Sequence, residues 1–260
     1  MPGKHINVRG VSRRISLGVT MVDVVRRSRR IPAFEYLRER DRMSSMFLEQ
    51  LRREDYRRRT VMDIGTGTGR VVWEIAPRAH RVIGVDRDET RLREARAYAG
   101  VRGFSRVEFV LGDAETTAWN AWHPGPLDFV TAHLCMSEAI IFRASRHLLP
   151  GGKLILGTHH TDHWRENGRG SGHAFTTDQI RDLLTENGFI AEFLGLDLTV
   201  VECADLLDAE RVLGPVIVKK WVGDGRWEGL ADSFARGPRQ VTLAYIVAKA
   251  VKLAHGPVAE

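Results

Sequence analysis

The sequence predicts an α/β fold, a mainly parallel sheet covered by helices on both faces, with a helical extension at its N-terminus. Three observations carry this. From residue 60 onward short apolar runs alternate with amphipathic ones, the pattern of βαβ units whose parallel strands need cover on each face. The first strand runs directly into Gly65-Thr66-Gly67-Thr68-Gly69. The next two end in Asp86 and in Gly112-Asp113, so acidic side chains collect at the carboxyl ends of the strands, where sheets of this kind bind ligands.

Taken in order, residues 1–59 read as a basic helical extension. Val19, Val22 and Val25, then Leu37, Met46, Phe47 and Leu51, leave apolar stripes between arginines, and Pro32 separates two helices. Residues 60–260 form the main domain. Strands are expected at 60–64, 81–85, 106–111, 127–132 and 153–157, with helices after the glycine loop (Val71, Val72, Ile75, Ala76), at 90–99 and at 139–149. Pro150-Gly151-Gly152 turns the chain into the fifth strand. A glycine-rich loop with Gly168, Gly170 and Gly172 follows. Thr176 then opens a helix with Gln179 at the capping-box position, Ile180, Leu183 and Leu184 on its apolar face, and Gly188 as its stop. Residues 189–201 and 241–251 read as two last strands. The segment 203–240, carrying Trp221 and Trp227, is a long insert between them.

A chain of 260 residues suits one α/β domain with additions. With roughly 70–75% of its surface buried on folding it needs no disulfide or metal staple. Its 43% hydrophobic and 28% charged residues exclude a disordered, collagen-like or disulfide-scaffold protein. Two cysteines, Cys135 and Cys203, build no framework, which points to a reduced, cytoplasmic setting. Ser12-Arg13-Arg14-Ile15-Ser16-Leu17 looks like a twin-arginine export signal. The apolar run behind it is broken by Asp23 and lacks a small-residue cleavage site, so export is not expected. No stretch approaches the ~18 apolar residues of a membrane span.

The net charge of +6 is uneven. Residues 1–60 hold 16 basic against seven acidic residues, and the remainder is slightly acidic. Three uses of the basic segment are open: a lid over the site, with Tyr36 as the residue nearest the chemistry; an arm for a homodimer; or a contact to nucleic-acid phosphates. The lid is favoured, because no RNA-binding module is recognisable and the arginines are not interleaved with many aromatics.

The chemistry concentrates in Val61-Met62-Asp63-Ile64-Gly65-Thr66-Gly67-Thr68-Gly69-Arg70. The glycines let the backbone turn sharply and approach a ligand, and the helix behind them offers free N–H groups. The spacing differs from the G-x-G-x-x-G of dinucleotide sites. Asp63 at the strand end would repel a pyrophosphate and suits an ammonium group. Asp86 lies 21 residues after Gly65, placed to accept from both hydroxyls of a ribose. Asp113 can accept from an exocyclic amine while the adjacent Ala114 N–H donates to a ring nitrogen.

On these residues the chain resembles class I S-adenosylmethionine-dependent methyltransferases, and within them the group acting on small molecules. The matching pieces are VMDIGTGTGR, RVIGVDRDETRLREAR, EFVLGDAE, LDFVTAHLCM and LLPGGKLIL, in order over roughly residues 60–200. The resemblance implies a doubly wound, Rossmann-like sheet of seven strands with the last antiparallel. It implies S-adenosylmethionine as cofactor and S-adenosylhomocysteine as product. Asp63 would lie near the methionine ammonium, Gly65, Thr66, Gly67 and Gly69 along the cofactor, Asp86 and Arg87 at the ribose, and Asp113 and Ala114 at the adenine. Trp119 stands either beside the adenine or in the core.

The acceptor is less legible. The segment Thr131-Ala132-His133-Leu134-Cys135-Met136 lacks the Pro-Pro of amine-methylating nucleic-acid enzymes and the carboxylates of magnesium-dependent ones, and Cys135 reads as a buried cysteine. His133 follows the fourth strand, and His159, His160 and His163 follow the fifth. His133 is the candidate for a cofactor contact or a base, with His160 and Tyr36 as further catalytic candidates. The run His159-His160-x-x-His163 lacks an established metal-ligand spacing, so no metal is expected. The insert and the loop 161–175, which reads as mobile, would close an enclosed pocket for a small, partly apolar acceptor.

Overall fold

The computed structural model describes residues 22–39 and 43–254. Val19 and the twin-arginine-like stretch lie outside them. Among the described residues nine strands form one sheet. They are β1 (Val24–Pro32), β2 (Thr60–Ile64), β3 (Arg81–Asp86), β4 (Val107–Leu111), β5 (Leu127–His133), β6 (Leu148–His160), β7 (Ala174–Phe175), β8 (Phe189–Glu202) and β9 (Gln240–Lys252). The order is β1-β8-β9-β6-β5-β2-β3-β4, with the two-residue β7 on β6. β9 runs antiparallel to both its neighbours. The expected seven strands with the last reversed are therefore present, extended by β1 and β7.

Two layers cover the sheet. On one face Trp119, Leu127, Ile140, Leu154 and Ile180 pack together; on the other Phe47, Leu51, Val72, Leu92 and Phe129 do. The helices are α1 (Ala33–Glu39), α2 (Ser45–Arg52), α3 (Arg70–Ile75), α4 (Glu89–Arg102), α5 (Glu138–His147) and α6 (Thr177–Glu186). The capping box of α6 forms as its sequence requires, with Thr176 and Gln179 bonded reciprocally. The Pro150–Gly152 turn survives inside β6 as an excursion. Leu148 pairs with Leu127 and the next pair is Lys153 with Phe129.

The N-terminal expectation is corrected. Val24–Pro32 is a strand, paired in parallel with β8 along its whole length. The 14-residue β8 would otherwise leave its outer N–H and C=O groups unpaired, and that backbone demand outweighs the weak helical stripe of Val22 and Val25. Pro32 ends this strand and leads into α1, rather than separating two helices. The arginines are those of an edge strand, and three are tied down: Arg27 to Glu49, Arg29 to Glu39 and Arg30 to Glu202.

The insert folds into α7 (Leu206–Leu213), α8 (Pro215–Asp224) and α9 (Arg226–Arg236). With Ala33, Val201 and Leu243 its residues Val212, Trp221 and Leu230 make a third, smaller core at the far end of β8 and β9. No helix among the described residues is long and apolar enough to cross a membrane.

Candidate functional site

The carboxyl ends of β2, β3, β4 and β5 frame a cleft of about 920 Å³. Its floor is the turn after β2. Gly65, Gly67 and Gly69 all take positive φ (67°, 54° and 87°), which side-chain-bearing residues adopt at a cost. Gly65 has a second reason to be glycine: a Cβ there would lie 2.3 Å from the Cβ of Cys135. The turn is pinned where Thr66 N–H donates to the Val85 carbonyl (3.0 Å) and Gly67 N–H donates to Asp86 Oδ2 (2.7 Å). Asp86 Oδ1 accepts from Asp88 N–H (2.9 Å). Four lone-pair positions on the carboxylate leave room for further donors.

Asp63 lies beneath this floor, 1% exposed, accepting from the Thr131 hydroxyl (2.7 Å). Its Oδ2 and the Thr66 hydroxyl are buried with no protein partner. Loss of hydration, with Asp86 nearby adding to it, pushes the Asp63 carboxyl up to about 7 despite the Thr131 hydroxyl. An unpartnered carboxylate oxygen and hydroxyl beneath a glycine turn suit an ammonium group, with Thr66 in the cleft wall and Asp63 behind it, outside the lining. The residues present fit the methionine end of S-adenosylmethionine in this respect.

Gly65, Thr66, Gly67, Asp86, Arg87, Asp113, Ala114 and His133 line the one cleft. Gly69 stands just behind it, capping α3 under the Trp73 ring. Asp113 is held by the Glu115 N–H (2.8 Å). Trp119 belongs to the core. It is fully buried, and its indole N–H donates to the Ala114 carbonyl (2.9 Å), steadying the Asp113–Ala114 turn.

His133 sits where β5 ends, its ring 4.7 Å from that of Phe47 on α2. Burial first, then Arg70 and His159, push its pKa down to about 4, so it is neutral at pH 7. The chain turns at Leu134, which holds φ 59°. Cys135 is half-buried, lining the cleft while packing against the edge of the core, and burial raises its thiol to about 11. This corrects the reading of Cys135 as a buried cysteine. Only the fold shows that Gly65 is small because Cys135 stands over it.

Two of the catalytic candidates are not brought to the cleft wall. His160 accepts at Nδ1 from Asp162 N–H (3.0 Å). Tyr36 packs on the small core with Trp164 and Tyr245. Nor do β1, α1 or the insert line the cleft, so the expected enclosure by lid and insert is absent from its described wall. The loop 161–175 does reach it, through His173, a residue that no local signal marked.

A methyltransferase-domain profile matches residues 57–188. A ubiquinone biosynthesis O-methyltransferase from Leptothrix cholodnii is 33% identical over 103 residues, 38% of this chain and 43% of that enzyme. The matched segment thus spans under half the curated relative's length. Among solved structures, a putative methyltransferase from Bacillus halodurans superposes with a TM-score of 0.60 at 22% identity, covering 80% of this chain and 99% of that one. A Haemonchus contortus phosphoethanolamine N-methyltransferase, in complex with phosphomonomethylethanolamine and S-adenosylhomocysteine, superposes at 0.55 and 18% identity, covering 81% of this chain and 53% of that one. At these identities the structures show the fold alone. The profile, together with the glycine loop and strand-end aspartates converging on one cleft, shows that the chain belongs to the class I methyltransferase-domain family, whose cofactor is S-adenosylmethionine.

Proposed function

We propose that this chain transfers a methyl group from S-adenosylmethionine to a small, partly apolar metabolite, at an oxygen, nitrogen or carbon atom, by in-line displacement. The observation that carries the reading is the convergence of the glycine loop, Asp86, Asp113 and His133 on one cleft. The cofactor supplies an electrophilic methyl on a good leaving group. The protein's part is alignment, which in well-oriented systems contributes up to ~7–11 kcal/mol.

In this reading Asp63 Oδ2 takes the ammonium and Asp86 the ribose hydroxyls, with Arg87 beside them. Asp113 and the Ala114 N–H hold the adenine. His133, neutral because it is buried, is the group placed to accept a proton from the acceptor. His160 and Tyr36 keep no assigned step. Three ion-paired arginines on β1 weigh against a nucleic-acid partner. The two free cysteines fit a reducing cytoplasm.

The test is incubation with S-adenosylmethionine and a panel of phenols, carboxylic acids and amines, read by mass for an added methyl group. Failure to methylate any of them while S-adenosylhomocysteine binds would favour a non-catalytic cofactor-binding protein. With an acceptor in hand, His133 as base predicts that turnover falls on the acid side with a midpoint near pH 4 and that His133→Ala removes this limb. An unchanged profile in the variant would reject the role.

A further inference from the structure

The segment from His163 to Ser171 links β9 and the insert, neither of which contributes a described residue to the cleft wall. One side is laced to β9. The Ala244 N–H donates to His163 Nδ1 (3.0 Å), and Trp164 N–H donates to the Thr242 carbonyl (2.7 Å). The Glu166 carboxylate accepts from the Thr242 N–H (2.9 Å), the Thr242 hydroxyl and the Gln240 amide. Trp164 holds φ 61°, a conformation that a bulky residue keeps only where its surroundings enforce it.

The other side leans on the insert. Gly229 of α9 lies so close that a Cβ there would stand 2.4 Å from the Asn167 carbonyl oxygen. Arg169 Nη1 donates to the Asp224 carbonyl at the end of α8 (2.9 Å). The turn between is closed by the Asn167 side-chain oxygen, which accepts from the N–H groups of Arg169 (2.8 Å) and Gly170 (2.7 Å). Ser171 Oγ lies 3.0 Å from His159 Nδ1. The loop expected to be mobile is a strap tied at nearly every residue. Two residues after its last tie, His173 joins the cleft wall, and with Glu115 and Met136 it also lines a smaller adjoining hollow.

We propose that the helical insert sets the position of His173 through this strap, making His173 a cofactor contact and Gly229 and Arg169 positioning residues for cofactor binding. The proposal rests on the cleft being the S-adenosylmethionine site. It gives the insert a function although none of its residues lines the cleft. Gly229 permits the close approach that holds Asn167, Asn167 folds the turn, and the turn fixes where His173 emerges.

Calorimetric titration of the full chain with S-adenosylhomocysteine tests it. His173→Ala should weaken binding about fivefold or more, the low end of one ring contact to a base. Gly229→Ala should weaken it by a similar factor. The double variant should bind no worse than the weaker single one, because both lose the same contact. Arg169→Ala, at an exposed residue, should give about a twofold loss with an unchanged Tm, and stands in if Gly229→Ala does not fold. A merely structural Gly229 would lower Tm and leave the binding constant alone. That result, multiplication of the single effects in the double variant, or full affinity in His173→Ala would each overturn the proposal. If the wild-type chain does not bind S-adenosylhomocysteine, the cofactor reading itself falls and the proposal with it.

Discussion

The two ends of the sheet are built by different means. From β4 to β5 each strand hands its chain to a short turn, with glycines after β2 and β4 and aspartates at the ends of β3 and β4, and those turns frame the cleft. From β9 outward to β1 the partners are far apart. Arg27 pairs with Asp197, Asp197 with Tyr245 and Tyr245 with His159, one residue from each of four strands in a single row. Ser44, ahead of α2, reaches down to Asp197 (2.5 Å). The first end is specified by motifs, the second by long-range pairing. The contrast teaches that binding chemistry and edge protection can be separated in one sheet, and that changes at one end should be felt differently from changes at the other.

The sharpest break of that contrast is Asp86→Ala. On the proposed placement, removing the carboxylate takes away charge-assisted bonds to two ribose hydroxyls, about 2–4 kcal/mol of cofactor affinity, and the Tm should fall as well because the Gly67 and Asp88 N–H groups lose their acceptor. Unaltered affinity for S-adenosylhomocysteine by calorimetry would mean that the cofactor lies elsewhere.

A smaller effect at the same end concerns protons. Asp63 has its carboxyl raised to about 7 in the folded, ligand-free chain, against about 3.9 unfolded. The folded state therefore binds more protons between these values, and this group's contribution to stability falls as pH rises from about 4 to 7. An ammonium-bearing ligand favours the ionised form, so binding should release about half a proton at pH 7, and affinity should rise about tenfold from pH 6 to pH 8. Titration in buffers of different ionisation enthalpy measures the release; none at pH 6 would show that Asp63 is already ionised.

The smallest effect belongs to the far end. Ser44 caps α2 through the Phe47 N–H and donates to Asp197. Ser44→Ala should cost about 1–2 kcal/mol of stability and leave S-adenosylhomocysteine affinity within about twofold, since the cap acts on α2, which meets the cleft through the Phe47 ring against His133 and not through a proposed cofactor contact. A large loss of affinity would show that the two ends are coupled after all.

By itself the sequence determined the turns that frame the cleft. The turn needs glycines whatever surrounds it, because positive φ is a local demand, and strand-end aspartates are visible from their distance to Gly65. The α6 capping box was legible for the same reason. Only the tertiary structure decided the rest. Val24–Pro32 became a strand because β8, 170 residues away, offered an open edge. Trp119 went to the core, Cys135 came to the cleft wall beside Gly65, and Tyr36 turned to the small core. His173 reached the cleft through a strap whose ties run to β9 and α9. Each of these outcomes depends on which backbone groups and surfaces meet in space, and a residue's immediate neighbours carry no record of that.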